Sequence, residues 1–247
     1  MSYESAFSGV YDKFISSADF DARAAYVLRK LQENGVPGGI LLDLACGTGR
    51  MSEFLLQRGF DLICTDISSA MLMQARRRLM PYGGRALILQ QDMRELDLFG
   101  TIRACVCCLD AVNHLTCAAD VQRVFDRVSL FTEPGGVFIF DANTVYKHRC
   151  VLADNAFVYE DDSDFLVWQN EYDPADDSVQ MLLDVFTEEA DGRFRRESEE
   201  ITERAYETDV LASMLQKAGF SKISVYGDLT DAPPAPEEER VCFVAVK

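Results

Sequence analysis

Asp43, Gly47, Gly49 and Asp66 are the residues whose types and spacing could do chemistry. Ile40 to Leu44 is a short apolar run with Asp43 as its single charge, the pattern of a strand buried on both faces. Gly47 and Gly49 follow. Then comes Met51-Ser-Glu-Phe-Leu-Leu-Gln-Arg58, which reads as a helix stopped by Gly59. A glycine lets backbone approach a ligand where a Cβ would clash. Asp66 closes a second strand, 61–66, and stands 23 residues after Asp43, where an acid is expected to hold ribose hydroxyls. Its two oxygens match two vicinal hydroxyls. The plainer reading is an acid ahead of the helix 68–79.

The same residues argue against a dinucleotide. That fingerprint needs a third glycine for helix packing and a pyrophosphate seat. Counting from Gly47 and Gly49 the third position is Ser52, and counting from Ala45 and Gly47 it is Arg50. No Gly-Lys-Ser/Thr is present, so a P-loop is excluded as well. What remains is a loop for a nucleoside without phosphates, a description that S-adenosylmethionine fits.

Further segments extend the pattern: Thr65-Asp-Ile-Ser68 with Met71, Gln91-Asp-Met-Arg94, Ala104-Cys-Val-Cys-Cys-Leu-Asp110, Glu133-Pro-Gly-Gly136 and Ala218-Gly-Phe220. With Leu41 to Gly49 they resemble the class I S-adenosylmethionine-dependent methyltransferases, over about 1–145 and 206–247. The opening Phe7-Ser-Gly-Val-Tyr-Asp12 and the closing Asp231-Ala-Pro are similar to a subgroup of small bacterial methyltransferases, mostly of unknown substrate. Some relatives of that subgroup methylate sugar amines. The resemblance implies S-adenosylmethionine as cofactor, held by Tyr11, Asp43, Ala45, Gly47, Gly49, Asp66, Ile67, Met71, Asp92, Met93, Leu109 and Asp110. It places Asp92 and Met93 at the adenine, where the acid can accept from the exocyclic amine. It puts Tyr11 near the methionine end of the cofactor. The alternative for Tyr11 is an aromatic anchor for an N-terminal helix.

Methyl transfer from a sulfonium asks mainly that nucleophile, methyl and sulfur be held in line. A base is needed only if the nucleophile arrives protonated. Ligands of open α/β sheets bind at the carboxyl ends of the strands, which here brings in Leu109, Asp110, Asn113 and His114. His114 is the better base of the two histidines, with Tyr11 as its catalytic companion; a hydrogen-bond donor at a helix start is the simpler reading of His114. The histidines are far apart in sequence and no second cysteine pair joins Cys105 and Cys108, so no metal is expected. Asp110, Asp141 and Asn143 are a loose candidate for Mg²⁺. Strand four is followed by Leu-Asp-Ala-Val-Asn, which excludes the Asn/Asp-Pro-Pro-Tyr amide and adenine-amine enzymes; no Pro-Cys marks a cytosine-C5 enzyme. The expected activity is methylation of N or O of a small molecule. Methylation of a protein side chain, or a non-catalytic cofactor-binding regulator, are the alternatives.

Positioning these residues requires alternating strands and helices. Helices are expected at 2–14 and 19–34, with Asp19 as N-cap, and at 51–58, 68–79, 118–131 and 208–217. Strands are expected at 40–44, 61–66, 85–90, 103–109, 137–141, 222–227 and 241–246. That is a doubly wound, mostly parallel Rossmann-like α/β sheet of about seven strands. Between 145 and 205 the period becomes two: Val179, Met181, Leu183 and Val185 alternate with Gln180, Leu182, Asp184 and Phe186. Asp173-Pro174 and Asp191-Gly192 mark turns. An antiparallel β cap of three or four strands is therefore inserted at 145–205, with the cofactor domain formed by 1–144 and 206–247. Trp168 and Tyr172 read as cap core, or as a pocket wall.

Charge narrows the partners. The net charge is −17, and residues 154–209 hold 19 acids against 4 arginines. Nucleic acid and anionic membranes are poor partners for such a surface. The functional reading is a cap that attracts an amine; the simpler one is a solvated sheet face. Met1 to Asp12 lacks a basic start and an apolar stretch, so a cytoplasmic protein with reduced thiols is expected.

Overall fold

The computed structural model describes residue 12 and residues 17–161 and 164–247. The expected helix at 2–14 therefore lies outside the described residues, apart from Asp12. The elements in order are α1 (Ser17–Glu33), β1 (Ile40–Leu44), α2 (Arg50–Gln57), β2 (Asp61–Asp66), α3 (Ser69–Leu79), β3 (Ala86–Gln90), β4 (Ile102–Cys107), α4 (Ala118–Phe131) and β5 (Thr132–Asn143). After them come β6 (Ala156–Asp161), β7 (Asp164–Asp173), β8 (Ser178–Glu188), β9 (Phe194–Arg204), α5 (Thr208–Ala218), β10 (Lys222–Gly227) and β11 (Arg240–Val246). Asp19 sits in the first turn of α1 rather than capping it.

One sheet runs β10-β11-β5-β4-β1-β2-β3, with only β11 antiparallel to its neighbours. The pleat sorts the core. Leu42 and Leu44 face α4 and α5 with Phe125, Phe138, Phe140 and Phe243. Leu41 faces the other way, toward α1, α2 and α3. Burial of each such side chain stabilises by roughly 1.5–3 kcal/mol. The Phe140 and Phe243 rings stack at 4.7 Å between centroids and tie β5 to β11. From β1 the chain winds to β2 and β3 on one side and to β4 and β5 on the other. The crevice at their carboxyl ends is therefore the natural ligand site.

Two strand limits differ from expectation. β4 ends at Cys107 because Leu109 and Asp110 both take left-handed backbone, φ 60° and 54°. β5 begins at Thr132, and Glu133-Pro-Gly-Gly136 is an irregularity inside it, where the register against β4 shifts. Gly136 is required there: a Cβ would stand 2.6 Å from Thr132 Cγ2. The inserted segment opens with a π-helical turn, Lys147–Leu152, and then forms a four-stranded antiparallel sheet, β6-β7-β8-β9. It has its own small core around Val179, Met181, Leu183 and Val185, against which Trp168 and Phe157 pack. No described helix is long and apolar enough to cross a membrane.

Candidate functional site

The turn after β1 is shaped by three left-handed residues, Ala45, Gly47 and Gly49, at φ 57°, 54° and 80°. The two glycines serve different ends. A Cβ on Gly47 would meet nothing, so this residue borders open space. A Cβ on Gly49 would stand 3.2 Å from the Ala75 Cβ, so its missing side chain admits α3 rather than a ligand. Asp66 spans the turn. One of its oxygens accepts from Gly47 N–H at 2.9 Å and the other from Ser68 N–H at 2.8 Å. Ser68 itself caps α3 through Met71 N–H, so Asp66 is not the cap. One acceptor position per oxygen remains, which suits vicinal hydroxyls. Burial raises the Asp66 carboxyl, against the backbone N–H donors of Ser68, Gly47 and Ile67 and the nearby His114.

Asp43 lies behind this turn. Ser52, in the place of the missing third glycine, donates to it at 2.5 Å. Burial pushes the Asp43 carboxyl up to about 7, against that hydrogen bond, and Asp66 adds to the rise.

The opposite wall is the left-handed pair Leu109–Asp110. Both N–H groups donate to the Asp141 carboxylate, at 3.1 and 2.6 Å. Arg240 holds Asp141 at 2.8 Å and Asp110 at 3.3 Å, and Arg23 reaches Asp141 and Asp228. Burial would raise the Asp110 carboxyl, but Arg240 and Lys147 outweigh it and hold it well below the usual range. This overturns Asp110, Asp141 and Asn143 as a Mg²⁺ set, because a guanidinium occupies the place of the metal. Among the described residues no cluster of three or more His, Cys, Asp or Glu could hold an ion.

These walls enclose a cavity of about 340 Å³, in the range of small-molecule sites. Of the residues expected at the cofactor, Asp43, Ala45, Gly47, Asp66, Ile67, Met71, Asp92, Met93 and Leu109 line it, and so does His114. Gly49 and Asp110 do not, for the packing and ion-pair reasons given. Tyr11 lies outside the described residues. The Asp92 carboxylate is engaged by its neighbour Arg94, Nε at 2.9 Å and Nη2 at 2.5 Å. This bond lowers the Asp92 carboxyl and competes with an adenine amine for it. Trp168 and Tyr172 do not line the cavity; Tyr172 donates to Asp177 in the cap.

Several lining residues went unread in the sequence. Arg23, Phe20 and Arg50 come from α1 and the start of α2, Cys108 from beyond β4, and Ile201 from β9 of the cap. Arg23 and Arg50 are cations that suit a carboxylate. Sequence reading kept Cys108 inside the strand, but the strand ends one residue before it. The two histidines, distant in sequence, converge: His114 Nε2 and His148 Nε2 each stand 3.7 Å from the Glu203 carboxylate.

The open backbone at Gly47, the ribose-matched Asp66, the thioether and aliphatic groups of Met71, Met93 and Ile67, and the absence of a phosphate cradle together fit S-adenosylmethionine. Comparison with known proteins agrees. A family model described as a methyltransferase domain matches residues 41–136. A Bacillus subtilis (strain 168) protein, YqeM, provisionally named a methyltransferase, is 34% identical over 98% of this chain and 96% of its own. The crystal structure of an S-adenosylmethionine-dependent methyltransferase from Clostridium acetobutylicum ATCC 824 superposes with a TM-score of 0.88 at 30% identity, covering 97% of each chain. A dTDP-3-amino-3,4,6-trideoxy-alpha-D-glucopyranose N,N-dimethyltransferase of Streptomyces venezuelae is 29% identical over 56% of this chain and 58% of its own.

Proposed function

This chain belongs to the S-adenosylmethionine-dependent methyltransferases, and on that premise we propose that it methylates the amino nitrogen of a small molecule. The observation that carries the reading is His114 on the wall of the same cavity that Asp66 lines. An aliphatic amine is protonated at neutral pH and must lose a proton before its lone pair can attack, which calls for a base of this kind. The acceptor class named for the Streptomyces venezuelae relative, an amino sugar, supports nitrogen over oxygen.

The bound cofactor supplies a methyl group already activated on a sulfonium. The residues of this chain then bind, align and remove a proton. Asp66 and Gly47 hold the ribose side, and Ile67, Met71 and Met93 form the apolar wall for the base. Arg23 and Arg50 serve the methionine carboxylate. His114 takes the proton of the ammonium. Ile201 closes the cavity from the cap, so a compact acceptor is favoured over a protein side chain.

The test is release of S-adenosylhomocysteine from S-adenosylmethionine with paired acceptors, amino sugars and simple primary amines against their hydroxyl counterparts. Turnover with the amines supports the reading. Turnover confined to the hydroxyl compounds, or none with any acceptor despite cofactor binding, rejects it.

A further inference from the structure

The cap sheet has two faces, and the cavity accounts for only one of them. Along β7 and β8 the inner face carries Leu166, Val179, Met181, Leu183 and Val185, all buried in the cap core. Along β9 it carries Ile201, which lines the cavity. Successive side chains of a strand point to opposite faces. The outer face therefore takes Val158 from β6, Phe165 and Val167 from β7, Leu182 and Phe186 from β8, and Phe194 from β9. Val158 is 67% exposed and Phe194 48%, and the other four are only half-buried. Among the described residues none of the six joins a hydrophobic core of this chain. They do touch one another: the Phe165 and Phe194 rings meet edge-on at 5.6 Å. An apolar sheet face left open in this way marks an interaction surface.

The charges on this face are ordered. Asp184, near its centre, is 5% exposed and is neutralised within the sheet: Arg196 donates to it from Nε and Nη2 at 2.9 and 2.8 Å, and the Ser198 hydroxyl donates at 2.5 Å. Arg196 keeps 55% of its side chain exposed. One cross-strand row reads Glu160, Phe165, Phe186, Arg196 from β6 to β9. An acid stands at one edge, a base at the other, and two rings lie between. Such a row is complementary to its own reverse. We propose that the outer face of the cap docks on the same face of a second copy of this chain, about a two-fold axis parallel to the strands. That axis lays β6 over β9 of the partner and β7 over β8. Glu160 then meets Arg196 of the partner subunit and Phe165 meets Phe186 of the partner subunit, each contact occurring twice.

The area suffices. Strands of 6, 10, 11 and 11 residues, at about 3.3 Å per residue and about 4.8 Å between strands, make a face of roughly 600 Å². Two such faces bury about 1,200 Å², which reaches the range of specific interfaces and exceeds the ~800 Å² of packing contacts. Twisted sheets cross at roughly 30° when they stack, so the match is closest for the row nearest the axis. An unlike partner would gain nothing from a row that complements itself. The interface lies on the side of the sheet away from Ile201 and the cavity, so it leaves the cofactor site open. It steadies the sheet whose inner face delivers that cavity residue. The proposal does not depend on which acceptor the protein methylates.

Sedimentation equilibrium of the full chain at micromolar concentration should show a dimer. Val158→Lys and Glu160→Arg change exposed residues of an edge strand, which the fold tolerates. Each should raise the dissociation constant of the dimer at least about tenfold, the first by burying an unpaired charge and the second by setting Arg against Arg. Val210→Lys, at an exposed apolar residue of α5, should leave the constant unchanged. The axis is read from Val158→Cys combined with Ser198→Cys. These positions share a row but lie on β6 and β9, three strand spacings apart, so a disulfide between them joins two copies. The parent chain, with its exposed Cys117 and Cys150, is the oxidation control. Binding of S-adenosylhomocysteine is a separate readout and should be the same in every variant. A monomer, including one that takes up an unlike protein on this face, overturns the proposal. So does a dimer indifferent to both Val158→Lys and Glu160→Arg, and a dimer in which the paired cysteines never link overturns the axis.

Discussion

The sequence leads one to expect Asp66 at a ribose, the structure places it on the cavity wall, and its surroundings change what its substitution should do. Because each oxygen accepts a backbone N–H, Asp66→Asn turns one acceptor into a donor against either Gly47 or Ser68. The variant should bind S-adenosylhomocysteine at least about tenfold more weakly, from loss of a charge-assisted bond. It should also lose about 1–2 kcal/mol of stability through the orphaned N–H. Calorimetry and a denaturant titration read the two effects; normal affinity would remove Asp66 from the ribose. Asp43 carries a pH signature instead. Its carboxyl is raised to about 7 in the fold, above the ordinary unfolded value near 3.8. The folded state then holds a proton that the unfolded chain has released. Stability from this group is full below about pH 4 and is lost as pH rises through 7, by a few kcal/mol. Asp43→Asn should flatten that part of the stability profile. An unchanged slope between pH 4 and 7 would contradict the buried, protonated state. Neither Ser52 as the donor to Asp43 nor Arg94 as the clamp on Asp92 could be read beforehand, since both depend on rotamers that no spacing encodes.

At the scale of elements the strand–turn–helix pattern was legible because period and punctuation are local properties of the chain. The sheet, its helices and the inserted hairpins follow from runs such as Ile40–Leu44 and the alternation at Val179 to Val185. Contacts between distant segments were not legible. Asp141 lies in β5 and Arg240 in β11, and only the sheet order brings them together beneath the Leu109–Asp110 turn. Asp141→Ala frees two N–H groups and leaves the buried Arg240 with Asp110 as its remaining carboxylate, so it should cost about 3–5 kcal/mol. Adding Arg240→Met should recover part of that loss in a double-mutant cycle; strict additivity would show that the pair is not coupled. The two glycines of the β1–α2 turn make a second contrast. Gly47→Ala should cost about 1–2 kcal/mol for its left-handed backbone, and it should abolish tight cofactor binding by filling the open edge. Gly49→Ala carries the same backbone strain and adds the collision with Ala75, so it should destabilise more than Gly47→Ala. Equal melting temperatures for the two variants would reject this division of roles.

The whole molecule poses the question that its charge raised at the outset, whether the acidic cap draws the acceptor or merely keeps the protein solvated. The cap delivers Ile201 to the cavity wall and Glu203 to His114, so its field acts at the cavity mouth as well as on bulk solvent. Low-dielectric walls lined by one sign of charge concentrate the opposite ion, and salt removes the effect. The screening length falls from about 10 Å at 0.1 M salt to about 3 Å at 1 M. With an amine acceptor in hand, kcat/KM should therefore fall by about tenfold over that range if the cap steers the cation. Affinity for S-adenosylhomocysteine should change little, because its ammonium and carboxylate charges cancel. The melting temperature should rise with salt, since screening relieves self-repulsion in a chain of net charge −17. That rise is expected of a solvated face as well, so it reports only that the fold survives the salt. The discriminating quantity is the ratio of kcat/KM for the amine at the two salt concentrations, measured at one fixed pH. A ratio near one, with the melting temperature rising as described, assigns the acidic surface to solvation and leaves recognition of the acceptor to the cavity walls.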